Sequence, residues 1–275
     1  MSAADVERAV SAIRAASASR HLVLFSDFDG TLCEFQIDPE SVRLPDARRR
    51  FLESVGSSGN ATVAIVSGRR LEDVRARVNL DLPAYYAGLH GLEIDGPDGR
   101  FRHPGVDGTA AIVQQLGPSL VAAVENLRGV FIEDKQLSLV VHYRGASPED
   151  AARAMGIVVT IARPDVERGA LRVMQGNCML ELLPGIPWHK GSAVDWILER
   201  VSTRHENPWP VYIGDDLSDQ DAFGAVRGRG LTIAAAPRAE GAEISLDGPY
   251  EVEDLLRRLV SGHWQAPDPA DRGVR

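Results

Sequence analysis

Two carboxylates follow an apolar run near the start of the chain. Residues 21–26 read His-Leu-Val-Leu-Phe-Ser, and Asp27, Phe28, Asp29 and Gly30 come directly after them. If the run is a strand, alternation places Asp27 and Asp29 on one side of the chain, and Gly30 permits a sharp turn. Two close carboxylates repel unless a cation or proton lies between them, which predicts a Mg²⁺ site. The alternative is an Asp-rich turn that caps the next helix.

A hydroxyl group occupies a similar position after the next apolar run. Residues 61–66 lead into Ser67, Gly68 and Arg69. Ser67 is placed to donate to a phosphate oxygen, Gly68 allows close backbone approach, and Arg69 adds positive potential. These three residues are therefore candidates for phosphate binding, with an ordinary Ser helix cap as the alternative.

Two further polar groups follow in the second half of the chain. Lys190 opens a predicted helix, from which its ammonium group could reach the carboxylates and a phosphate. Asp215, Asp216 and Asp219 follow the apolar run 210–213, at a spacing that describes a divalent-metal site or a helix cap.

The elements that must position these residues alternate between strand and helix. Helices are predicted over residues 3–18 and near 45–55, 69–78, 189–203, 218–225 and 250–260, and strands over 22–26, 61–66, about 84–87, 210–213 and 230–234. This alternation predicts an α/β chain with a parallel sheet, in which chemistry collects at the carboxyl ends of the strands.

The pattern changes between about residues 104 and 185. Helices over 109–128 and 148–162 are each followed by two short strands, at 130–134 and 137–143 and then at 171–175 and 178–183. The resulting αββαββ block predicts an inserted α+β domain over 104–185, with residues 1–103 and 186–275 forming the core.

Composition restricts the class of protein. The chain has 275 residues, 44% hydrophobic residues, 25% charged residues and a formal net charge of -9. The negative charge argues against a nucleic acid or an anionic membrane as partner. No apolar run reaches the ~20 residues of a bilayer span and no signal-peptide pattern is present, so we expect a cytoplasmic protein. We also expect a monomer or a small homo-oligomer.

Taken in order, the Asp-x-Asp, Ser, Lys and Asp-Asp signals resemble the haloacid-dehalogenase-like phosphatase superfamily. The resemblance implies a Rossmann-like core with an inserted cap. It also implies that Asp27 attacks phosphorus to form an aspartyl-phosphate, and that Asp29 protonates the leaving oxygen and later activates water. Ser67 and Lys190 would hold the phosphoryl oxygens.

The same resemblance implies a Mg²⁺ ion that bridges nucleophile and phosphate. Its expected ligands are the side chain of Asp27, the backbone carbonyl of Asp29 and Asp215, with Asp216 and Asp219 in or near the coordination shell.

Further motifs narrow the resemblance to the trehalose-6-phosphate phosphatases, over about residues 22–224. They include Gly88-Leu89-His90-Gly91-Leu92-Glu93-Ile94, Glu133-Asp134-Lys135, His142-Tyr143-Arg144, Glu181-Leu182-Leu183-Pro184 and His189-Lys190-Gly191. In that family the cap closes over the active site and recognises the sugar. Glu133, Lys135 and Glu181 are then expected to bind sugar hydroxyls, and Gly30, Gly68 and Arg69 to lie at the substrate, which would be trehalose 6-phosphate. His90 and His142 are interpreted as loop and packing residues.

The chain departs from this family at several positions, which leaves alternatives to trehalose 6-phosphate as the substrate. Leu183 and Asn177 stand where cationic residues are common, and Ser218 and Gln220 replace Thr and Glu. The alternatives are a phosphatase of another glycosyl phosphate, such as sucrose phosphate, a glycosylglycerate phosphate or a trehalose-like pseudosugar phosphate. A sugar phosphomutase and a non-catalytic sugar-phosphate sensor are further alternatives.

Overall fold

In the computed structural model, residues 3–36, 38–236 and 239–261 are described. They form two compact units. The described residues up to Phe101 and from His189 onward make up the first unit, and Arg102–Trp188 makes up the second. The role of the second unit as a cap stays a prediction.

The first unit alternates strands and helices along the chain. Its helices are α1 (Ala3–Ser17), α2 (Asp46–Gly56), α3 (Leu71–Val78), α6 (Lys190–Ser202), α7 (Gln220–Val226) and α8 (Pro249–Ser261). Its strands are β1 (His21–Ser26), β2 (Ala61–Val66), β3 (Tyr85–Gly88), β4 (Glu93–Gly96), β5 (Gly99–Arg102), β10 (Pro208–Gly214), β11 (Leu231–Ala234) and β12 (Ile244–Ser245).

These strands form one sheet in the order β12-β11-β10-β1-β2-β3-β4-β5. The pairs from β12 to β3 are parallel, whereas β3 and β4 pair antiparallel. β1 therefore lies between β10 and β2, with the carboxyl ends of all three strands at one edge. The predicted α/β class with a parallel sheet is confirmed.

Both faces of this sheet are buried at β1. Leu22 and Leu24 of β1 belong to the apolar cluster that includes α1, α2 and α8, whereas Val23 and Phe25 belong to the cluster that includes α6 and α7. Alternate strand residues thus enter opposite cores, which explains why β1 reads as a nearly continuous apolar run.

The β4–β5 segment was not predicted. These two strands have four residues each, contain glycine and charged side chains, and flank a turn at Pro97-Asp98. Without an apolar run they carry no strand signal, and sheet pairing stabilises them instead, with β4 beside β3 and β5 beside β4. Over the residues described, no helix combines the length and apolarity needed to cross a bilayer.

The second unit has the predicted αββαββ order. It contains α4 (Asp107–Val124), β6 (Phe131–Asp134), β7 (Leu139–His142), α5 (Pro148–Glu167), β8 (Leu171–Gly176) and β9 (Met179–Pro184). Its strands form an antiparallel sheet in the order β6-β7-β9-β8. Leu139 and Leu182 share a buried cluster with Leu120 of α4 and Val158 of α5, so the helices cover one face of this sheet.

Candidate active site

Three predicted site residues lie at neighbouring strand ends of the first unit. Asp27 follows β1, Ser67 follows β2 and Asp215 follows β10. All three are buried, and the backbone N–H of Asp27 donates to the carbonyl of Ile213 at 2.9 Å. Because β1 is parallel to both neighbours, the fold brings these polar groups to one edge of the sheet.

A tight turn carries the chain away from Asp27. Leu32 and Cys33 both donate backbone hydrogen bonds to the carbonyl of Phe28, and Gly30 has φ +86°, which favours glycine. A β-carbon at Gly30 would collide with the carboxylate of Asp215. Gly30 therefore permits the close approach of this turn to Asp215, whose Oδ1 accepts a hydrogen bond from Thr31 at 3.1 Å.

The acids form a buried cluster around the lysine at the start of α6. Asp27, Asp215 and Asp219 each offer an oxygen, and these oxygens all lie within 4.8 Å of one another. Nζ of Lys190 donates to Oδ1 of Asp27 at 2.7 Å and to Oδ1 of Asp219 at 2.8 Å. The predicted proximity of Lys190 to the acids thus exists in the folded chain.

Asp219 has a dense set of hydrogen-bond donors. Its Oδ1 also accepts from the hydroxyl of Tyr212 at 2.7 Å, and its Oδ2 accepts from the backbone N–H groups of Asp215 and Asp216, each at 3.1 Å. With four donors on two oxygens, Asp219 fixes both Lys190 and the loop after β10.

Burial and mutual repulsion destabilise the charged acids. The pKa of Asp27 is raised to about 7, because burial raises it more than the nearby ammonium of Lys190 lowers it, and Asp219 raises it further. Burial, Asp27 and Asp219 raise the pKa of Asp215 well above its ordinary value. Burial lowers the pKa of Lys190, but Asp219 and Asp27 outweigh this effect and raise it above its ordinary value. Lys190 is therefore cationic, and with Asp27, Asp215 and Asp219 all ionised the cluster would carry excess negative charge.

A divalent cation would offset that charge and stabilise the ionised acids. Hard cations such as Mg²⁺ take oxygen ligands and bind through one or two carboxylates. The four donors on Asp219 leave Asp27 and Asp215 as the acids best suited to hold the ion directly. Of the other predicted ligands, Asp216 is half-buried and, like the side chain of Asp29, lies outside the acid group.

The side chain of Asp29 is held by Arg69. Nε and Nη2 of Arg69 donate to the two carboxylate oxygens of Asp29, both at 2.7 Å, in a bidentate pair. Arg69 also donates to Asp73 at 3.0 Å and to the carbonyl of Pro39 at 3.0 Å. Burial lowers the pKa of Arg69, but both acids raise it more, so the net direction is upward. Arg69, predicted as a substrate ligand, thus has internal partners that the sequence interpretation missed. Its spacing of four from Asp73 on the chain was the available signal.

A constrained turn stands beside Ser67 and Gly68. Oγ of Ser67 accepts a hydrogen bond from the backbone N–H of Arg69 at 3.1 Å, and the carbonyl of Ser67 accepts from His90 at 2.9 Å. Leu89 and His90 have φ +50° and +58°, a strained region for residues other than glycine. A β-carbon at Gly68 would lie 2.8 Å from the His90 ring, so the glycine makes room for this imidazole. The interpretation of His90 as a loop residue agrees with its buried place in this turn.

In the second unit, the predicted sugar ligands have partners of their own. Oε1 of Glu181, a fully buried residue, accepts hydrogen bonds from Nζ of Lys135 at 3.2 Å and from Oγ of Ser138 at 2.7 Å. Oε2 of Glu133 lies 2.7 Å from Nε2 of His142. Burial raises the pKa of Glu133, but the bond to His142 and the charge of Lys135 lower it more, which leaves it below its ordinary value. Ser138 was not among the predicted ligands, and His142 was interpreted only as a loop and packing residue.

Several known proteins are similar to this chain. A family model described as trehalose-phosphatase matches residues 25–246. A protein of Mycolicibacterium paratuberculosis named trehalose-phosphate phosphatase is 36% identical over 259 residues, which cover 88% of this chain and 63% of that protein. A Mycobacterium tuberculosis protein named as an uncharacterized glycosyl hydrolase is 35% identical over 93% of this chain, but the match covers only 19% of that protein. The chain therefore spans less than two thirds of the length of these relatives.

A solved structure shares the fold. The C-terminal domain of the Candida albicans trehalose-6-phosphate phosphatase is similar to this chain with a TM-score of 0.77 and 19% identity. The similarity covers 93% of this chain and 96% of that domain.

Proposed function

The chain belongs to the trehalose-phosphatase family, and from this premise we propose that it hydrolyses trehalose 6-phosphate to trehalose and inorganic phosphate. The observation that carries the proposal is the buried cluster of Asp27, Lys190, Asp215 and Asp219 at the carboxyl edge of the parallel sheet. The family resemblance read from the motifs is confirmed by the family match. The reaction and the roles below are our proposals for this chain.

Asp27 is the proposed nucleophile. Lys190 contacts its Oδ1, and we assign Oδ2 to the attack on phosphorus, which forms an aspartyl-phosphate and releases the sugar alkoxide. The ammonium of Lys190 favours the charged carboxylate that the attack requires. Together with Ser67, Lys190 also holds the phosphoryl oxygens.

Asp29 is the proposed acid and base. It donates a proton to the leaving sugar oxygen and later takes one from the water that hydrolyses the aspartyl-phosphate. The bidentate pair with Arg69 sets the position of its carboxyl group, so we assign Arg69 to positioning Asp29 in addition to any contact with substrate.

Asp27 and Asp215 would hold Mg²⁺, with Asp219 supporting them through Lys190 and the loop after β10. The bound ion supplies positive charge that stabilises the nucleophile and the phosphate together. Of the predicted ligands, the backbone carbonyl of Asp29 and the side chain of Asp216 stay as predictions.

We assign recognition of the sugar to the second unit, through Glu133, Lys135 and Glu181. Carboxylate and ammonium groups make charge-assisted hydrogen bonds to hydroxyls. Three expectations stay predictions from the sequence: the cytoplasmic location, the monomeric or small homo-oligomeric state, and the exclusion of nucleic acid and membrane partners.

Phosphate release over a panel of sugar phosphates tests the proposal. The panel contains trehalose 6-phosphate, sucrose phosphate, a glycosylglycerate phosphate and a small aryl phosphate, each with Mg²⁺ and with a chelator. We expect the highest kcat/KM with trehalose 6-phosphate and loss of turnover in the chelator. Equal or faster release of phosphate from another glycosyl phosphate would overturn the assignment of trehalose 6-phosphate as the substrate. Full turnover in the chelator would overturn the requirement for Mg²⁺. Conversion of a sugar phosphate into its isomer without phosphate release would indicate a mutase.

A further inference from the structure

The sheet of the second unit has a face that α4 and α5 do not cover. Because side chains alternate along strands, the neighbours of the helix-covered residues Leu139 and Leu182 lie on this opposite face. Glu133 pairs with Val140, and Val140 pairs with Glu181, so the predicted sugar ligands Glu133 and Glu181 share it.

An aromatic side chain stands on the same face. Phe131 precedes Glu133 by two residues on the edge strand β6, and its direct cross-strand partner is His142. The two rings stack with centroids 4.6 Å apart and planes 18° apart. Phe131 is nevertheless 43% exposed, so part of its ring surface is accessible.

The neighbouring groups hold this ring in place. Nε2 of His142 lies 2.7 Å from Oε2 of Glu133, which fixes the imidazole on which Phe131 is stacked. A ring fixed before binding loses little conformational freedom when a ligand covers it. Phe131, His142 and Glu133 therefore form an ordered unit, which we call the aromatic platform.

The chemistry of the platform matches one class of ligand. A pyranose ring has a face of C–H groups and a rim of hydroxyls. The electron-rich face of an aromatic ring attracts C–H hydrogens, and a carboxylate accepts hydrogen bonds from hydroxyls. The platform places these two kinds of group side by side, with an exposed aromatic surface next to a carboxylate.

We propose that the aromatic platform is a sugar-stacking subsite, in which Phe131 covers the C–H face of a glucosyl ring and Glu133 accepts from its hydroxyls. His142 is a positioning residue that supports the ring of Phe131. This inference deepens the proposed function and rests on it for the identity of the sugar.

The test uses the full chain and measures how free sugars inhibit hydrolysis of a small aryl phosphate. Trehalose, sucrose and maltose serve as probes, so that sugar binding is measured independently of sugar-phosphate turnover. The variants are Phe131→Ala, Phe131→Leu and Phe131→Trp. Val159→Ala is the matched control, because Val159 is also 43% exposed but lies on α5 of the same unit. Thermal unfolding of each variant checks the fold.

We expect the inhibition constant of trehalose to rise about ten-fold in Phe131→Ala and Phe131→Leu, a change of about 1.4 kcal/mol. In Phe131→Trp, which keeps an aromatic face, and in Val159→Ala, the inhibition constant of trehalose is expected to stay within about two-fold of wild type. The kcat/KM for the aryl phosphate is expected to stay within about two-fold of wild type in all four variants.

Unchanged inhibition in Phe131→Ala, or the absence of inhibition of wild type by any of the three sugars, would overturn the platform. If Phe131→Leu keeps wild-type inhibition, the contact is apolar packing and the stacking role is wrong. If only another disaccharide inhibits, and does so in a Phe131-dependent way, the platform stands and the trehalose assignment fails.

Discussion

Replacing Lys190 with methionine removes the positive charge at the centre of the acid cluster while keeping a long side chain. In the folded chain, Nζ of Lys190 lies 2.7 Å from Asp27 and 2.8 Å from Asp219, and the lysine is only 2% exposed. The variant therefore leaves Asp27, Asp215 and Asp219 buried without the cation that pairs two of them.

Loss of one partner from a buried ion pair typically costs about 3 to 5 kcal/mol of folding free energy. Protonation limits this cost here. The pKa of Asp27 is already about 7 with Lys190 present, so without the lysine its carboxyl group takes up a proton at neutral pH. We therefore expect a loss of folding free energy at the lower end of this range, about 3 kcal/mol. For a domain of about 150 to 250 residues, such a loss lowers Tm by about 6 to 12 °C. Because a protonated Asp27 is a poor nucleophile, turnover should fall by about 10³-fold or more.

Thermal unfolding and phosphate release at pH 7.5 measure both effects. Arg229→Met is the matched control, since it removes the cation of the exposed Arg229–Asp195 pair and should cost no more than about 0.5 kcal/mol. A Lys190→Met variant within 2 °C of wild type, by the same scale of about 2 to 4 °C per kcal/mol, would refute the energetic reasoning. Turnover above a tenth of wild type would refute the role of Lys190 in catalysis.

Arg69→Lys should reduce turnover of a sugar phosphate by about 10²-fold, because lysine cannot reproduce the bidentate pair with Asp29. The loss on an aryl phosphate, whose leaving group needs less protonation, should be smaller, and equal losses would argue against a positioning role. Glu181→Ala should likewise impair turnover of the disaccharide phosphate more than that of an aryl phosphate, and equal losses would contradict sugar recognition. Burial and His205 lower the pKa of His21 to about 4 in the folded chain. As the pH falls, His21 is therefore protonated in the unfolded state before it is protonated in the folded state, and the free energy of unfolding should fall by up to about 3 kcal/mol between pH 6.5 and 4. Urea unfolding at both pH values should show a smaller loss in His21→Asn, and an identical loss would contradict this cause.

The strands and helices that form the catalytic edge were predictable because their signals are local. The run of residues 21–26 is apolar at almost every position because alternate side chains enter two different cores. The acids at its end stand out against that background. Motif order then identified the family, which no single element could do.

Contacts between distant segments could not be predicted from local sequence signals. The pair between Asp29 and Arg69 joins positions 40 residues apart, and either residue has an ordinary explanation alone. The stack of Phe131 on His142 depends on the register of β6 against β7, because a shift of one residue would move one ring to the other face. The β4–β5 hairpin depends on pairing to β3 rather than on its own composition.

The measurement closest to the central claim is phosphate release from trehalose 6-phosphate by wild type and by Asp27→Asn, a near-isosteric change at the buried tip of β1. Asp195→Asn, an acid in an exposed pair, is the control for the same substitution at the surface. We expect Asp27→Asn to remain folded and to lose at least about 10⁴-fold in kcat, the scale seen when a nucleophile is removed, while the control keeps wild-type turnover. A folded Asp27→Asn variant that retains a tenth or more of wild-type turnover would contradict the assignment of Asp27 as nucleophile.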